Sequence, residues 1–370
     1  DLHPRVRRQR QMCIRDSIGT VGVPAKYGGY ETLVENLLDK KINAEIQYLV
    51  YCSSNVYKEK FHEYKGAKLV YLPLNANGWQ SVLYDSFSLV HAFCVCDVIL
   101  SLGTVGSFIL PFLRLFSRKR VIINLDGLDD RRAKFNHFSQ RVIGAARRLA
   151  AKYADVCISD NQGIKDYAYK VYRRDSELIE YGGDNAFPVE DNEKLWNKYG
   201  LIKGQYCFKV ARVEPENNIE MILQAFAQLP EEKLVLVGNW SRSEFGKRMK
   251  TEYSAYKNIM MLNPIYDALE INLLRSNCKI YIHGHSAGGT NPSLVEAMNL
   301  HLPIITYGVV YNRETTENQA LYFEDAESLI YCIRSFGEKR RKAVADAMYA
   351  IARRRYLWSI ICMKYERLFL

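Results

Sequence analysis

The chain has 370 residues, of which 48% are hydrophobic and 25% charged, and its formal net charge is +10. This length predicts two globular domains of about 150–200 residues each, because one ordinary core would be too small for it. The positive charge favours an anionic partner, and of the candidate partners nucleic acid is disfavoured because no zinc-finger, KH or RNA-recognition signature is present.

The nine cysteines are scattered along the chain and include no CxxC pair. This spacing argues against a zinc site and against a disulfide framework, and it is typical of a reducing compartment. The sequence also contains no recognisable cleavable signal peptide. We therefore expect a cytoplasmic protein.

Residues 1–17 are polar and Arg-rich, and they end in the hexapeptide MCIRDS. That hexapeptide resembles a translated sequencing adapter, which predicts that residues 1–17 are non-native. The alternative is a native basic arm. In both cases we assign these residues no role.

A first Gly-rich segment, Gly19–Thr32, leads into a pattern of leucines with helical spacing. It matches neither GxGxxG nor the GxxxxGK[ST] phosphate loop. A flexible loop that carries Gly28, Gly29 and Lys26 is suited to the wall of a sugar or phosphate cleft.

Strands and helices are predicted to alternate along the rest of the chain, with a polar hinge after Tyr181-Gly182-Gly183-Asp184. The strands are short, nearly continuous apolar runs, which is typical of parallel sheets covered by helices on both faces. The predicted fold is therefore α/β with two doubly wound, Rossmann-like sheets. The predicted strands are Ile46–Cys52, Lys68–Leu72, Val98–Leu102, Val121–Leu125, Val156–Ser159, Leu178–Tyr181, Cys207–Val213, Leu234–Val237, Met260–Leu262, Ile280–His283 and Ile304–Ile305.

The apolar run from Val98 to Leu113 is too short, and too interrupted by glycine and proline, to cross a membrane. It predicts a strand, a turn and a helix, Ser107–Phe116, followed by the basic Arg118-Lys119-Arg120. This helix could lie in a membrane interface with its basic end on anionic headgroups, or it could be an ordinary buried helix of the fold. The sequence leaves both readings open.

A second Gly-rich segment, Tyr281–Met298, predicts a strand, a turn through Ala287-Gly288-Gly289-Thr290, and a helix capped by Asn291 and begun by Pro292. Such an arrangement binds anions, since unpaired N–H groups and the helix dipole meet at one point. Glu296 lies one turn inside and is suited to accept hydrogen bonds from ribose hydroxyls. The segment therefore predicts a nucleotide-diphosphate pocket; the alternative is an ordinary tight strand-to-helix connection.

Four motifs in order, GTVGVPAKYGGYET, NLDGLDDRRAKF, ARVEPENN and GHSAGGTNPSLVEAM, resemble those of retaining family-4 glycosyltransferases of the two-Rossmann GT-B architecture. More narrowly they are similar to the bacterial rhamnosyltransferase branch of that family. The resemblance covers Ile18 to Leu370. It implies an acceptor-side domain at 1–186, a nucleotide-sugar domain at 187–352 and a C-terminal helix, 353–370, that returns to the first domain.

The resemblance also implies the roles of individual residues. Arg212 and Asp126 are the expected catalytic residues, with Arg212 on the donor pyrophosphate, and Glu296 is expected to hold the ribose. The expected donor-binding residues are Gly28, Gly29, Asn217, His285, Gly288, Gly289, Thr290, Asn291 and Glu296.

Three positions depart from the wider family but are shared with the narrower branch. Gly288 stands where the wider family has a glutamate, Asn217 where it has a lysine, and Asp126 where it has a histidine. We interpret these changes as a changed donor. Asp129-Asp130 replaces a Glu-Trp pair of the branch and puts the acceptor contact there in doubt.

Simpler explanations remain for individual residues. Arg212 could pair with Glu214 or Glu216, Asp126 could cap a turn, and His283 with His285 could bind a metal.

The resulting hypothesis is a cytoplasmic, membrane-peripheral enzyme that moves L-rhamnose from dTDP-L-rhamnose to a lipid-linked oligosaccharide for a surface polysaccharide. No DxD motif is present, so neither a metal nor another cofactor is expected. The alternatives are a UDP- or GDP-hexose donor and a non-catalytic sugar-nucleotide binding protein. A Rossmann oxidoreductase is disfavoured because GxGxxG is missing.

Overall fold

The computed structural model describes residues 19–26, 28–125, 137–190 and 192–370. In the first half its elements are α1 (Gly29–Asp39), β1 (Leu49–Ser53), β2 (Glu63–Tyr64), β3 (Ala67–Leu72), α2 (Ser81–Val95), β4 (Val98–Ser101), α3 (Leu110–Phe116), β5 (Arg120–Asn124), α4 (His137–Tyr153), β6 (Val156–Ser159), α5 (Gln162–Tyr172) and β7 (Glu177–Leu178). In the second half they are α6 (Asn192–Tyr199), β8 (Tyr206–Val210), α7 (Ile219–Ala227), β9 (Lys233–Val237), α8 (Glu244–Tyr253), β10 (Ile259–Leu262), α9 (Ala268–Ser276), β11 (Ile280–His283), α10 (Pro292–Asn299), β12 (Ile304–Tyr307), α11 (Val310–Thr315), β13 (Leu321–Phe323), α12 (Ala326–Ser335), α13 (Glu338–Arg355) and α14 (Trp358–Phe369).

The N-terminal domain, which contains β1 to β7, has two sheets with strand orders β1-β3-β2 and β4-β5-β6-β7. All pairs are parallel except the edge hairpin of β2 and β3. Residues 19–23 lie between the carboxyl ends of the two sheets, because Ser53 donates a backbone hydrogen bond to Val21 at 2.9 Å and an added Cβ at Gly19 would lie 2.7 Å from the Gly103 nitrogen.

The C-terminal domain, which contains β8 to β13, has one parallel six-stranded sheet of order β10-β9-β8-β11-β12-β13. Strands β8, β9, β11 and β12 are almost wholly buried and apolar, as strands covered by helices on both faces must be. The prediction of two Rossmann-like domains with parallel sheets is therefore confirmed.

The last helix, α14, packs against α1 at the other end of the chain. The Glu366 carboxylate accepts backbone hydrogen bonds from Ile42 at 2.7 Å and Asn43 at 2.9 Å. Trp358 lies against Gly182, where an added Cβ would overlap the indole ring, and it stacks edge-on with Tyr181 at 4.8 Å between ring centroids. The domain boundaries predicted after residues 186 and 352 remain a prediction.

Several element bounds differ from those predicted, for local reasons. β8 ends at Val210 instead of Val213, because a turn closes there with Glu214 donating to the Arg212 carbonyl at 2.9 Å. The helix predicted for Ser107–Phe116 divides into a 3-10 turn, Val105–Ile109, and α3.

Arg353 to Trp358, which resembles a single returning helix, instead spans the end of α13 and the start of α14. Within the described ranges, the structure contains no helix with both the length and the apolar character needed to cross a bilayer.

Candidate functional site

The strand order of the C-terminal domain reverses next to β8, and an open parallel sheet forms a crevice at such a reversal. The chain enters the sheet at β8, continues outward through β9 and β10, and returns to the other side of β8 with β11. In open parallel sheets, ligands bind at this reversal, outside the carboxyl ends of the strands. The connections after β8 and β11 form its walls, and they carry Arg212 and the Gly-rich loop 284–291.

The Gly-rich loop ends in a capped helix. The Asn291 Oδ1 accepts from the Ser293 N–H at 3.1 Å and from the Ser293 hydroxyl at 2.8 Å, and Pro292 occupies the first helical position of α10. Gly288 has φ of 94°, which side chains rarely adopt. The predicted strand, turn and capped helix are thus confirmed, and this is the geometry in which a helix start binds an anion.

The first Gly-rich segment reaches the same helix start from the N-terminal domain. Gly28 has φ of 123° and precedes α1, and the Gly29 carbonyl accepts a hydrogen bond from the Tyr181 hydroxyl. An added Cβ at Gly29 would lie 3.7 Å from the Pro292 side chain. The fold therefore brings together two Gly-rich segments that are about 260 residues apart in the sequence.

Asp160, which the sequence reasoning missed, also reaches the loop from the N-terminal domain. It follows β6, its backbone carbonyl accepts a hydrogen bond from the Thr290 hydroxyl, and an added Cβ at Gly289 would overlap its carboxylate. The available signal was its position directly after a buried parallel strand, the edge at which ligand-binding residues collect.

Asn217 shapes the crevice through both ends of its side-chain amide. Its Nδ2 donates to the Arg212 carbonyl at 2.9 Å, and its Oδ1 lies 2.9 Å from Nδ1 of His285. The Arg212 side chain is half-buried and, in the described ranges, forms no ion pair. The structure therefore gives no support to its pairing with Glu214 or Glu216.

Glu296 is already bound on both oxygens. Its Oε2 accepts from Arg275, whose side chain is 7% exposed, and its Oε1 accepts from Asn185 Nδ2 at 2.8 Å. A carboxylate oxygen has more than one lone-pair site, so a ribose hydroxyl could join these partners or displace Asn185. Neither partner could be predicted from the motif, because both lie far from Glu296 in the sequence.

Asp126, the second residue expected to be catalytic, lies outside the described residues, as does the Asp129-Asp130 pair. The other predicted site residues collect at the crevice or at the start of α10 facing it. Two Rossmann-like domains that meet at a capped, Gly-rich helix start are the GT-B architecture.

Family comparisons agree with this class. Residues 192–350 match the family "Glycosyl transferases group 1", and residues 13–184 match "Domain of unknown function (DUF1972)". The chain thus contains a group 1 glycosyltransferase domain, and it is a glycosyltransferase. No curated protein matches it significantly.

Solved structures share the fold over nearly the whole chain. Sucrose-phosphate synthase from Thermosynechococcus elongatus has a TM-score of 0.80 at 15% identity, with 97% of this chain and 98% of that chain covered. Anabaena HepE in complex with UDP-glucose has a TM-score of 0.74 at 16% identity, with 96% and 99% covered. S. aureus MnaA with UDP has a TM-score of 0.64 at 13% identity, with 97% of both chains covered.

Proposed function

We propose that the crevice binds a nucleotide-sugar donor and that the enzyme transfers the sugar with retention of configuration. The observation that carries this proposal is the approach of Gly29, in the first Gly-rich segment, to Pro292 at the capped start of α10. Glycines on both sides let a diphosphate approach backbone N–H groups closely, and the helix dipole favours its charge.

The proposed chemistry needs stabilisation of the leaving diphosphate. The bond between the sugar anomeric carbon and the phosphate oxygen breaks, the acceptor hydroxyl attacks from the same face, and its proton passes to the departing phosphate oxygen. The developing charge is balanced by Arg212 and by N–H groups of Gly289 to Asn291. Asp126 completes the proposed catalytic pair, and Asn217, His285 and Thr290 line the donor site.

We propose dTDP-L-rhamnose as the donor. The left-handed backbone at Gly288 disfavours any side chain, so the sugar receives no carboxylate contact from this position. A 6-deoxy sugar needs no hydrogen bond at its methyl group, and a site rarely keeps a polar partner that its substrate does not use. A UDP- or GDP-hexose is the alternative donor.

We further propose a lipid-linked saccharide acceptor and contact with the inner face of the cell membrane. Helix α3 buries Leu110 and Leu113, but Leu115 is 77% exposed and Phe116 is 74% exposed. The helix is therefore not an ordinary buried helix, and its exposed face is apolar. Four more exposed apolar residues occur at helical spacing on α2 and just before it: Trp79, Leu83, Phe87 and Val90.

The exposed apolar residues of α2 and those of α3 belong to neighbouring elements. Gly106, in the 3-10 turn before α3, packs so closely on α2 that an added Cβ would lie 2.8 Å from the Asp85 Cβ. Exposed Arg118 follows α3, whereas Arg114 points inward to the Tyr153 carbonyl and Asp155. An apolar surface with an adjacent cation is suited to an anionic lipid interface.

The donor assignment is tested by thermal shift with dTDP-, UDP- and GDP-sugars, followed by donor competition with one common acceptor. A ligand present at 100 times its Kd should stabilise the protein by about 2.7 kcal/mol. We expect dTDP-L-rhamnose to exceed UDP-glucose in kcat/KM by roughly tenfold or more, equivalent to about 1.4 kcal/mol.

Equal or better use of UDP-glucose would refute the rhamnose assignment. Binding without transfer or donor hydrolysis would favour a non-catalytic binding protein.

A further inference from the structure

Lys209 carries a buried amine that has no role in the proposed chemistry above. Its side chain lies on β8 and is 1% exposed, and among the residues that the structure describes it has no hydrogen-bond acceptor or carboxylate partner. Its Nζ lies under the backbone that joins β11 to the Gly-rich loop, since an added Cβ at Gly284 would be 3.1 Å from it.

The surroundings of this amine are unfavourable for positive charge. Burial lowers the pKa of Lys209 to about 7. Burial, followed by Lys209 and His285, drives the pKa of His283 well below its usual value, so His283 is neutral. The groups near Lys209 are the neutral His283 on β11 and, around Gly284, the apolar Ile222 of α7 and the backbone carbonyl of Asn217; none of them carries a negative charge. A buried, uncompensated charge costs free energy, which an apolar side chain at this position would avoid.

The position of Lys209 coincides with the strand reversal that forms the crevice. β8 and β11 are the two strands on either side of the reversal, and Lys209 is the penultimate residue of β8. At Asn217, where related enzymes carry a lysine, this chain has a neutral amide whose two ends are bound to Arg212 and His285. The crevice therefore lacks a cation at position 217 but has the Lys209 amine beneath it, in addition to Arg212 on its wall.

We propose that Lys209 supplies, from the floor of the crevice, positive charge that binds the diphosphate of the nucleotide-sugar donor. This inference rests on the proposed function of the same crevice. Because Gly284 beside the amine has no side chain and the interior has a low dielectric, the charge of Lys209 is weakly screened from a diphosphate in the crevice.

A specific proton linkage follows. At about pH 8 the amine is mostly neutral in the free protein, and a bound diphosphate raises its pKa, so binding should take up most of one proton. At about pH 6 the amine is already protonated and this uptake should vanish. Ionisation of the ligand phosphate, with a pKa near 6, then releases protons instead.

The test is titration calorimetry of the whole protein with UDP, dTDP and GDP, in pairs of buffers with different ionisation enthalpies. Lys209→Met keeps most of the length of the side chain and removes its charge. We expect it to abolish proton uptake at about pH 8 and to weaken diphosphate binding roughly tenfold, the size of one charge-assisted contact. Binding of the matching uncharged nucleoside should be unchanged.

Lys233→Met is the matched control. Lys233 is the first residue of the neighbouring strand β9 and pairs with Tyr206. It therefore lies about 10 Å from Lys209 along the strand direction, at the amino-terminal end of the strands and away from the crevice. It should bind diphosphates and protons as the wild type does.

Equal affinity and equal proton uptake in a folded Lys209→Met variant would overturn the inference and leave the proposed function intact. Wild-type protein that binds diphosphates at about pH 8 without proton uptake would overturn it as well, whether or not the variant folds. Wild-type protein that binds no nucleoside diphosphate would instead refute the proposed function, and this inference with it.

Discussion

Asp85 should make the N-terminal domain less stable as the pH rises. This carboxyl is buried in α2, against Gly106, and accepts a hydrogen bond from the Gly19 backbone. Its Oδ1 has no hydrogen-bond partner among the described residues. Burial, which outweighs the Gly19 hydrogen bond, raises the pKa of Asp85 from 3.8 to about 7. The folded protein therefore holds this proton more tightly than the unfolded chain does.

The sign and the size of the change in the free energy of unfolding with pH follow from the difference between the folded and unfolded pKa values of Asp85. Stability from the protonated carboxyl is fully present below about pH 4 and is lost as the pH rises through about 7. The two pKa values lie about three pH units apart, and each unit corresponds to about 1.4 kcal/mol, so the loss is on the order of 4 kcal/mol. Asp85→Asn keeps an acceptor for Gly19 and removes the charge.

The measurement is the urea unfolding of wild type and Asp85→Asn at about pH 5 and pH 8, followed by circular dichroism. The variant should be more stable than the wild type by about 1.6 kcal/mol at pH 5 and by about 4 kcal/mol at pH 8. Asp166→Asn, which alters a surface carboxylate on α5 that accepts from Gln162 at 2.7 Å, should follow the wild type at both. An Asp85→Asn profile parallel to that of the wild type would contradict the reasoning.

Three further predictions concern the site and the surface. Arg212→Ala should lower kcat by about 10²-fold while changing donor affinity much less, since Arg212 meets charge that develops in the transition state; an unchanged kcat would exclude it from the mechanism. Gly289→Ala should raise the donor KM roughly tenfold because its Cβ overlaps Asp160, and Asp160→Ala in the same chain should restore part of the loss, whereas additive losses would contradict this contact. Replacing Leu115 and Phe116 by aspartate should abolish flotation with anionic vesicles at low salt, and wild-type flotation that is insensitive to both lipid charge and salt would return α3 to a structural role.

The sequence predicted best those parts that local chemistry determines. α10 begins and ends as predicted, because Asn291 and Pro292 are strong local start signals. The parallel sheets followed from short apolar runs. Contacts between distant segments could not be predicted: Asp160 meets Gly289 only through the fold.

For Glu296 and Lys209 as well, the sequence did not predict the surroundings that the fold provides. The position of Glu296 in the motif predicted a ribose contact, but nothing in the motif indicated its Arg275 partner on α9. Lys209 is a single polar residue in an apolar strand, a pattern equally typical of an exposed edge. Only the position of β8 inside the six-stranded sheet shows that the amine is buried.

The docking of α14 on α1 bears on how the protein is made. The hydrogen bond from the Ile42 N–H to Glu366 joins residues 324 positions apart, and a second bond joins the Cys362 thiol to the Asn36 carbonyl at 3.5 Å. During synthesis, the face of α1 that α14 covers stays uncovered until residues 358–369 have left the ribosome. Late, long-range closure of this kind slows folding and leaves apolar surface open to aggregation or chaperone binding. The N-terminal domain is therefore completed only after the C-terminal domain has been synthesised.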